Sequence, residues 1–510
     1  MINQILSGIR WLAPILMLVI LTHPVGAELR LGKIFGDRMV LQRDQPVQIW
    51  GWTGSRQPVS VRFADQAWST KADQNGAWIV ELKPMGAASS GRDLMVSGSQ
   101  QEVVLRDVVV GDVWHASGQS NMAMTLASVA SRLPAAKQHL VVASFPSLRF
   151  RRIAEAAASQ PLADFRSSGQ WVICSPQTAS RFSAVGFYFA RRLSADLGVP
   201  IGIVDSSRGG TPIEPYLPRS AFASHPTLRR ELELGDQSDL VGLRQLSGGV
   251  RARDENWLPA RLFHSRIAPI QRFSVRGVIW YQGESNSGKG EDPRDYQHKM
   301  RGLISGWRNA FNDDLLPFYF VQLPGSGAGP NWPYLREQQR QVARLPHAGM
   351  VVTIDLLDED IHPANKVDVG ERLALMALSK AYKQPIASSG PLFDRVEFLD
   401  DRAIVHFSHS ESGLMIARKD GLSPPQEQVD GQLAHFELAD EKGRWSPAVA
   451  IIRDKTVEVQ CDGLTKPLAV RYAYEINPLT CKLYNRAGLP ASPFCSDLAM
   501  LDGAPAPFVD

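Results

Sequence analysis

Apolar and polar positions alternate through the first part of the chain, as in β-strands that bury one face. The alternation covers residues 59–63 and again residues 78–82. Asn75-Gly76 lies between these two runs, and this dipeptide tolerates the positive φ angles of a tight hairpin turn. We therefore predict an N-terminal β region over residues 28–106, built as a small β-sandwich or half of one.

The pattern changes at Val108, where short apolar runs begin to alternate with segments of helical periodicity. Strands that are covered by helices on both faces have this composition, and the alternation predicts a parallel sheet. We predict one doubly wound α/β domain over residues 107–385, with its active site beyond the carboxyl ends of the strands. The predicted strands cover residues 108–116, 201–205, 275–281, 318–323 and 350–354, and the helix candidates cover 184–193, 296–311 and 369–378.

Short strands return near the C-terminus, for example over residues 402–407 and 469–474, with turns rich in Gly, Pro and Asp. We predict a second β region over residues 386–510. Because chain ends often lie close together, the two β regions could pack on one another, and the sequence leaves this open.

The first 27 residues have the organisation of a secretory signal peptide. Arg10 precedes an apolar run over residues 11–21, and Val25-Gly26-Ala27 supplies small residues at the spacing of a cleavage site. An uncleaved membrane anchor is the alternative, although the run is short for a bilayer span. We expect cleavage before Glu28, and a periplasmic or secreted protein without stable membrane insertion.

Charge and cysteine content narrow the function further. The 510 residues carry 55 basic and 52 acidic side chains, so the net charge of +3 favours neither nucleic acid nor an anionic membrane as a partner. In an oxidising compartment we expect one disulfide within the C-terminal group of cysteines, with the pairing undefined. The four cysteines do not have the sequence spacing of a zinc site, so we expect no structural metal. The cysteines are Cys174 and the C-terminal group Cys461, Cys481 and Cys495.

Four polar clusters follow predicted strands of the α/β domain, and parallel strands bring their carboxyl ends to one edge of the sheet. Together they supply the groups that acyl transfer needs: a hydroxyl nucleophile, a His base, a carboxylate and N–H donors for an oxyanion. Each cluster alone has an ordinary interpretation as a helix cap, a turn or a solvated loop. The clusters are Gly118-Gln119-Ser120-Asn121, Arg208-Gly209-Gly210-Thr211, Gln282-Gly283-Glu284-Ser285-Asn286 and residues 358–363, which contain His362.

The motifs GQSNM, GGTPIE, WYQGESN and DIHPANKVDVGERLA occur in that order within residues 107–385. This series closely resembles the sialate O-acetylesterase family, carbohydrate acetylesterases of the SGNH (GDSL-like) hydrolase superfamily. The C-terminal VRYAYEINPLTCKLYNRAGLPASPF also resembles that family. The resemblance implies an SGNH-type, flavodoxin-like sheet with β-sandwich or jelly-roll regions at both chain ends. It also implies a serine esterase that works through an acyl-enzyme, without metal or organic cofactor.

By position in these motifs, Ser120 corresponds to the family's nucleophile, and its backbone N–H to the first oxyanion donor. Gly210 corresponds to the second donor and Gln282 to the third, side-chain donor. His362 corresponds to the catalytic base.

The acid that orients His362 is less well defined by the resemblance. The family's motif favours Asp360, whereas the wider superfamily places an acid three residues before the His, which is Glu359 here. A Ser-His dyad without an acid stays open. His115, only five residues before Ser120, belongs to the strand body, and we expect it to serve packing or hydrogen bonding.

Two further side chains are candidates for substrate binding. Arg208 stands where the family often has Trp, and it could bind the carboxylate of sialic acid or stack on a neutral sugar. Glu284 is the other candidate. Alternatively, its carboxylate is buried and has a structural role. The expected substrate is an acetylated carbohydrate, either a sialic acid ester or a hemicellulose oligosaccharide such as xyloglucan or xylan.

Two other functions compete with this esterase. An α/β-hydrolase lipase predicts G-x-S-x-G at the nucleophile, and the stretch from Gly118 to Met122 lacks the second glycine. A non-catalytic glycan-binding protein with lectin-like β domains is the second, with Trp52, Trp68 and Trp78 as candidate sugar contacts.

Overall fold

The structure is a computed structural model that describes residues 28–98, 101–246, 254–287, 294–325, 329, 331–356, 358, 360–497 and 499. The signal peptide predicted over residues 1–27 lies outside these ranges. Within them, no helix combines the length and the apolar character that crossing a membrane requires.

The N-terminal strands form two groups. β1, β3 and β6 make an antiparallel sheet, whereas β4, β5 and β7 join the large central sheet. Gly76 has the positive φ expected of its turn (+81°), but the strands beside it, β5 and β6, lie in different sheets, so no hairpin forms there. The strands are β1 (Arg30–Leu31), β2 (Val40–Gln42), β3 (Val47–Trp52), β4 (Pro58–Phe63), β5 (Gln66–Lys71), β6 (Ala77–Leu82) and β7 (Ala88–Gly98).

A single long strand, β8 (Gln101–Gly118), connects the N-terminal strands to the α/β region. Its first half pairs antiparallel with β7, and its second half lies between parallel neighbours on both sides. The boundary predicted between residues 106 and 107 therefore falls inside a continuous strand. Pairing with β7 also makes the central sheet mixed rather than purely parallel.

The strands expected in the α/β region are all present, and the structure adds two that were not predicted, β9 and β10. Along the sheet the order is β10-β9-β11-β8-β12-β13-β14, with β10 antiparallel to β9 and the others parallel. The strands are β9 (Phe145–Arg152), β10 (Trp171–Cys174), β11 (Ile201–Asp205), β12 (Gly277–Tyr281), β13 (Phe318–Val321) and β14 (Ala348–Val351).

Helices cover both faces of this sheet. Successive residues of a strand point to opposite faces, and in β8 the ring of Trp114 packs against Phe189 while His115 stacks on Trp307. α4, which carries Phe189, and α7, which carries Trp307, therefore lie on opposite sides. The helices are α1 (Ser120–Ala123), α2 (Leu126–Ala130), α3 (Pro134–Val141), α4 (Ala184–Leu197), α5 (Pro226–Asp236), α6 (Leu240–Leu246), α7 (Asp295–Phe311), α8 (Trp332–Val342) and α9 (Lys366–Lys380).

The C-terminal β region has its own apolar core, in which the rings of Phe436, Tyr472 and Phe494 pack together. It is joined to the α/β region by buried hydrogen bonds, such as that from Tyr484 to Asp355 over 3.1 Å. Its strands are β15 (Leu392–Phe398), β16 (Arg402–Ser408), β17 (Leu414–Arg418), β18 (Gln426–Glu427), β19 (Phe436–Ala439), β20 (Trp445–Pro447), β21 (Val449–Arg453), β22 (Thr456–Gln460), β23 (Ala469–Tyr472), β24 (Leu483–Asn485) and β25 (Phe494–Cys495).

The predicted disulfide is wrong for this structure, in which Cys174, Cys461, Cys481 and Cys495 are all free thiols. The thiols have separate surroundings: Cys495 contacts the carbonyl of Asp497 over 3.2 Å, whereas Cys481 is half-buried near Tyr472. Burial raises the pKa of the Cys481 thiol to about 12, so it is un-ionised at neutral pH. Among the described residues, no group of three or more His, Cys, Asp or Glu side chains is placed to hold a metal ion.

Candidate active site

β8 ends in a glycine turn that brings Ser120 to the edge of the sheet. Gly118 has a φ of +131°, and a Cβ there would lie 2.1 Å from the carbonyl oxygen of Tyr281, so the turn requires glycine. The N–H of Gln119 donates to the same Tyr281 oxygen over 2.9 Å. Ser120 is then the first residue of α1, and Gln119 occupies the capping position. Ser120 is therefore not the helix cap that its place in the sequence suggests.

Ser120, His362 and Asp360 form a continuous chain of hydrogen-bonding side chains. Oγ of Ser120 lies 2.8 Å from Nε2 of His362, and Nδ1 of His362 lies 3.1 Å from Oδ1 of Asp360. The backbone N–H of His362 donates to the same carboxylate oxygen over 3.1 Å. When Nδ1–H donates to Asp360, Nε2 is left to accept the proton of the Ser120 hydroxyl. This is the arrangement of a nucleophile, a base and an orienting acid.

Of the two acids considered, Asp360 contacts His362, whereas Glu359 lies outside the described residues. Although partial burial acts in the opposite direction, hydrogen bonds from His362 and the charge of Arg132 lower the pKa of the Asp360 carboxyl. The carboxylate is therefore ionised at neutral pH, in the state that favours a protonated His362.

Arg132, which was not predicted as a site residue from the sequence, binds the loop that carries His362. Its Nη1 donates to the carbonyl of His362 over 2.7 Å and lies 3.3 Å from Oδ2 of Asp360. Its Nη2 donates to Asp358 over 2.9 Å, and Asp358 accepts the N–H groups of Asp360 and Ala364. Because 230 residues separate Arg132 from His362, no local pattern indicates this contact.

The Gly209-Gly210 turn lies beside Ser120, where an oxyanion donor was expected. A Cβ on Gly209 would lie 3.8 Å from Cβ of Ser120, and Gly210 has a φ of +74°. The Ser285 hydroxyl donates to the carbonyl of Gly210 over 3.1 Å, and the N–H of Arg208 donates to the carbonyl of Gly118 over 3.0 Å. These bonds hold the turn against the end of β8. The donor role of Gly210 stays a prediction.

Gln282, predicted as the third oxyanion donor, is engaged inside the protein instead. It is fully buried, and its amide nitrogen donates to Asn286 over 2.7 Å, to Gln119 over 3.2 Å and to the carbonyl of Thr211 over 3.4 Å. The side-chain amide that reaches the nucleophile belongs to Gln119, whose Nε2 lies 3.4 Å from Oγ of Ser120.

Glu284 was predicted as a substrate contact or, alternatively, as a buried structural acid. The structure shows it as a buried structural acid. Its carboxylate accepts a hydrogen bond from the amide of Asn121, which also donates to the carbonyl of Ile361 over 2.9 Å. Nζ of Lys366 donates to the amide oxygen of Asn121. Burial raises the pKa of Glu284 and lowers the pKa of Lys366 to about 7. Asn121 thus links the turn of the nucleophile to the loop that carries His362.

Arg208 is partly exposed next to the turn of Ser120, with 34% of its side chain accessible. Its Nη2 lies 3.9 Å from Asp254, a distance at which the ion pair is loose. A contact between this guanidinium and substrate stays a prediction.

His115 is a core residue, as expected. It is fully buried, it stacks on Trp307 with the ring centroids 5.0 Å apart, and its Nε2 lies 2.7 Å from Oγ of Ser206. Burial lowers its pKa to about 3, so the ring is neutral at physiological pH.

The α/β region and its site match a known family. A family model described as "Carbohydrate esterase, sialic acid-specific acetylesterase" matches residues 110–379. This span is more than half of the 510 residues, and it contains Ser120, Asp360 and His362. The chain belongs to this family. The family was identified in the sequence from its motifs, and the match confirms that identification.

Curated relatives extend the similarity over nearly the whole esterase. It is 28% identical to sialate O-acetylesterase of Rattus norvegicus, over 94% of this chain and 96% of the relative. It is also 28% identical to sialate O-acetylesterase of Homo sapiens, over 92% of each chain.

Among solved structures, the esterase resembles a carbohydrate acetylesterase from Xanthomonas citri. The two are 34% identical, with a TM-score of 0.81 over 92% of this chain and 100% of that chain. The fold of the central sheet and of the flanking β strands is therefore shared with that enzyme. Together the relatives show that the chain is a carbohydrate esterase.

Proposed function

We propose that this esterase removes O-acetyl groups from carbohydrates, with Ser120 as nucleophile, His362 as general base and Asp360 as the orienting acid. The observation that carries the proposal is the 2.8 Å contact between Oγ of Ser120 and Nε2 of His362, with Asp360 on the other ring nitrogen. The same contact speaks against a purely glycan-binding protein, since sugar binding needs no such pair.

In the first step, Oγ of Ser120 attacks the acetyl carbonyl carbon while its proton passes to Nε2 of His362. The carbonyl electron pair moves onto oxygen and forms a tetrahedral oxyanion. When the oxyanion collapses, the bond to the sugar oxygen breaks, and His362 returns its proton to that oxygen. The products of this step are the deacetylated sugar and an acetyl-Ser120 intermediate.

In the second step, water replaces the sugar. His362 takes a proton from water as the water oxygen attacks the acetyl carbon. When the resulting oxyanion collapses, the bond from the acetyl carbon to Oγ of Ser120 breaks, and His362 returns its proton to Oγ, which releases acetic acid and the free Ser120 hydroxyl. In both steps Asp360 stabilises the protonated imidazole, and the backbone N–H groups of Ser120 and Gly210 are the proposed donors to the oxyanion.

We further propose that the α/β region has an SGNH-type, flavodoxin-like sheet. When β9 and β10 are set aside as additions at one edge, the parallel strands run in the order 2-1-3-4-5 by chain position. The helices on opposite faces of β8 support the same assignment. The jelly-roll description of the flanking β regions stays a prediction.

The substrate within this class is a sialic acid ester or an acetylated hemicellulose oligosaccharide. The mammalian relatives are named for sialate esters and the Xanthomonas citri enzyme for carbohydrate acetyl esters. Measuring the rate of acetate release from a sialic acid ester and from an acetylated hemicellulose oligosaccharide decides between the two substrates. If Arg208 binds a sialic acid carboxylate, Arg208→Ala raises KM for that ester alone and leaves hydrolysis of 4-nitrophenyl acetate unchanged.

We also propose that the first 27 residues are removed on export to the periplasm or the medium. The apolar run after Arg10 and the small residues before Glu28 support this. N-terminal sequencing of the protein recovered from the periplasmic and extracellular fractions tests it, and an intact Met1 would overturn it.

Hydrolysis of 4-nitrophenyl acetate tests the proposed chemistry. We expect Ser120→Ala and His362→Ala to lower kcat by about 10³-fold or more, because each removes a member of the reacting pair. Ser128→Ala and His347→Asn change the same residue types at exposed positions and serve as matched controls. Equal activity of the wild type and the two site variants would overturn the proposal.

A further inference from the structure

A chain of buried hydrogen bonds determines how the amide of Gln119 is oriented beside the nucleophile. It begins at Glu214, a buried carboxylate whose Oε1 lies 2.6 Å from Nζ of Lys299. A carboxylate can only accept, so the neighbouring Asn286 must present its NH₂ group to Glu214, over 3.0 Å. The amide oxygen of Asn286 then faces the opposite way, where it accepts the N–H of Ile213 over 3.0 Å.

The same order of donors and acceptors continues through the side-chain amide of Gln282. Its Nε2 donates to the amide oxygen of Asn286 over 2.7 Å, and its Oε1 lies 2.9 Å from the hydroxyl of Tyr296, which shares its proton with the Gln282 carbonyl oxygen 3.0 Å away. Burial raises the pKa of Tyr296, so its hydroxyl keeps its proton and remains a donor. The remaining N–H of Gln282 is shared between the amide oxygen of Gln119, 3.2 Å away, and the carbonyl oxygen of Thr211, 3.4 Å away.

The amide oxygen of Gln119 therefore has two donors on the interior side. Besides Gln282, the backbone N–H of Ser285 donates to it over 3.1 Å. With its oxygen occupied in this way, the amide must present its NH₂ group to Ser120, where Nε2 lies 3.4 Å from Oγ. Gln119 is almost fully buried, with 2% of its surface accessible, so water does not compete with these bonds.

We infer that Gln119 donates a hydrogen bond to the oxyanion, and that Gln282 is the positioning residue that holds its amide in the donating orientation. The inference rests on the proposed function and replaces the role first expected of Gln282. The contact with Ser120 is long in the resting enzyme. A donor that is weakly used at rest and strongly used when negative charge develops lowers the barrier rather than the substrate affinity.

Substitutions of Gln119 test this by separating kcat from KM. Gln119→Met keeps the length of the side chain without its N–H groups, and Gln119→Glu keeps its shape but presents a carboxylate. We expect kcat for 4-nitrophenyl acetate to fall by about 10²- to 10³-fold in both, with KM changed by less than about threefold. Gln42→Met removes another buried amide, on β2, where it pairs with Gly111 of β8 and bonds to Asp112, and controls for the loss of a buried glutamine.

Inhibition by 1,1,1-trifluoroacetone supplies a readout that a structural role would not change. This ketone forms a hemiketal with a serine nucleophile and carries an oxyanion, so its Ki depends on the donors. We expect Ki to rise in proportion to the loss of kcat/KM in Gln119→Met and to stay unchanged in Gln42→Met. Gln282→Glu, which cannot donate to Gln119 when ionised, should lower kcat and raise Ki less than Gln119→Met does.

The two proposals fail in different ways. If wild-type hydrolysis is absent or does not depend on Ser120, the proposed function fails and this inference fails with it. If hydrolysis depends on Ser120 but Gln119→Met and Gln119→Glu keep kcat within about threefold of wild type, only the inference is overturned. A Ki that rises in Gln42→Met as much as in Gln119→Met overturns it as well.

Discussion

The turn that carries Ser120 and the loop that carries His362 are held in different ways. Gln119 and Asn121, on either side of Ser120, are 2% and 0% exposed, and their amides bond inside the protein. By contrast, 25% of the His362 side chain and 48% of the Asp360 side chain are exposed, and Arg132 holds them from the surface. The nucleophile is therefore positioned by backbone geometry and buried amides, and the base by partly exposed charges.

This difference has energetic consequences. Breaking a buried hydrogen bond leaves a desolvated partner, which typically costs about 1–3 kcal/mol, whereas an exposed ion pair contributes roughly 0–1 kcal/mol and is screened by salt. We therefore expect changes at the Ser120 turn to affect stability and activity together. Changes at the His362 loop should affect activity with little loss of stability.

The largest expected effect is that of Gly118→Ala. A Cβ at this position would lie 2.1 Å from the Tyr281 carbonyl, in a backbone conformation of positive φ. We expect a loss of about 4 kcal/mol or more in the free energy of unfolding, measured with urea, and a matching loss of esterase activity. Gly198→Ala is the matched control, because Gly198 also has positive φ (+67°) but no atom within 4 Å of its Cβ position.

Gly198→Ala should cost only about 1 kcal/mol, since it carries the strain of positive φ without the clash. Equal destabilisation by the two substitutions would show that the close approach to Tyr281 does not determine the turn.

The second prediction concerns Lys366, which joins the buried turn to the exposed loop through Asn121. Burial lowers its pKa from 10.5 to about 7, while Glu284 acts in the opposite direction. Between these two pH values the unfolded chain keeps a proton on this lysine that the folded chain has lost. The unfolded state therefore binds more protons, and this group makes stability rise with pH, by at most about 1.4 kcal/mol per pH unit.

Urea unfolding of wild type and Lys366→Met at pH 7, 8 and 9 measures this contribution. The variant lacks the titrating group, so its stability relative to wild type should decrease as pH rises. The exposed Lys71→Met controls for the loss of a lysine at the surface. A wild-type-minus-variant difference that is constant with pH would show that Lys366 does not titrate in this window.

The third prediction concerns Asp360, on the exposed side. Asp360→Asn removes the charge that stabilises a protonated His362 but leaves a side chain of the same shape. We expect kcat to fall by about 10²-fold, less than for a fully buried triad acid, with a change of less than about 1 kcal/mol in the free energy of unfolding. Glu359→Gln tests the alternative acid and should leave kcat unchanged. A larger loss in Glu359→Gln than in Asp360→Asn would reverse the assignment.

How far the sequence predicts this site depends on the kind of contact. The meeting of Ser120, His362 and Asp360 at one sheet edge follows from strand–helix alternation, because parallel strands end together. Whether a side chain of the site is buried cannot be predicted from the strand–helix alternation. The motif around Gln282 and Glu284 names an amide and an acid but does not say whether they face substrate or the interior. Only the bonds to Asn121 and Asn286 show that they face inward.

Features that depend on distant partners were also missed. β9 escaped prediction because its Arg149 and Arg151 give it a charged pattern, although both are buried, and Arg149 pairs with Asp107. The disulfide was expected from the oxidising compartment and from the closeness of three cysteines in the sequence, and neither shows which thiols meet in the folded chain. Arg132 has no signature near it in the sequence, since its partners follow more than two hundred residues later.

The smallest expected effect is that of Arg132→Ala. Arg132 touches no reacting atom, and it acts by holding the carbonyl of His362 and the carboxylate of Asp360. Because these contacts are partly exposed, we expect kcat to fall by about three- to tenfold, with KM for 4-nitrophenyl acetate nearly unchanged.

The wild-type kcat should decrease towards that of the variant as salt is raised, since screening weakens the same contacts. Arg395→Ala removes an exposed, ion-paired arginine from a distant strand and should show neither effect. An Arg132→Ala enzyme that is destabilised as strongly as Gly118→Ala would contradict the division between a rigid buried half and a looser exposed half of the site.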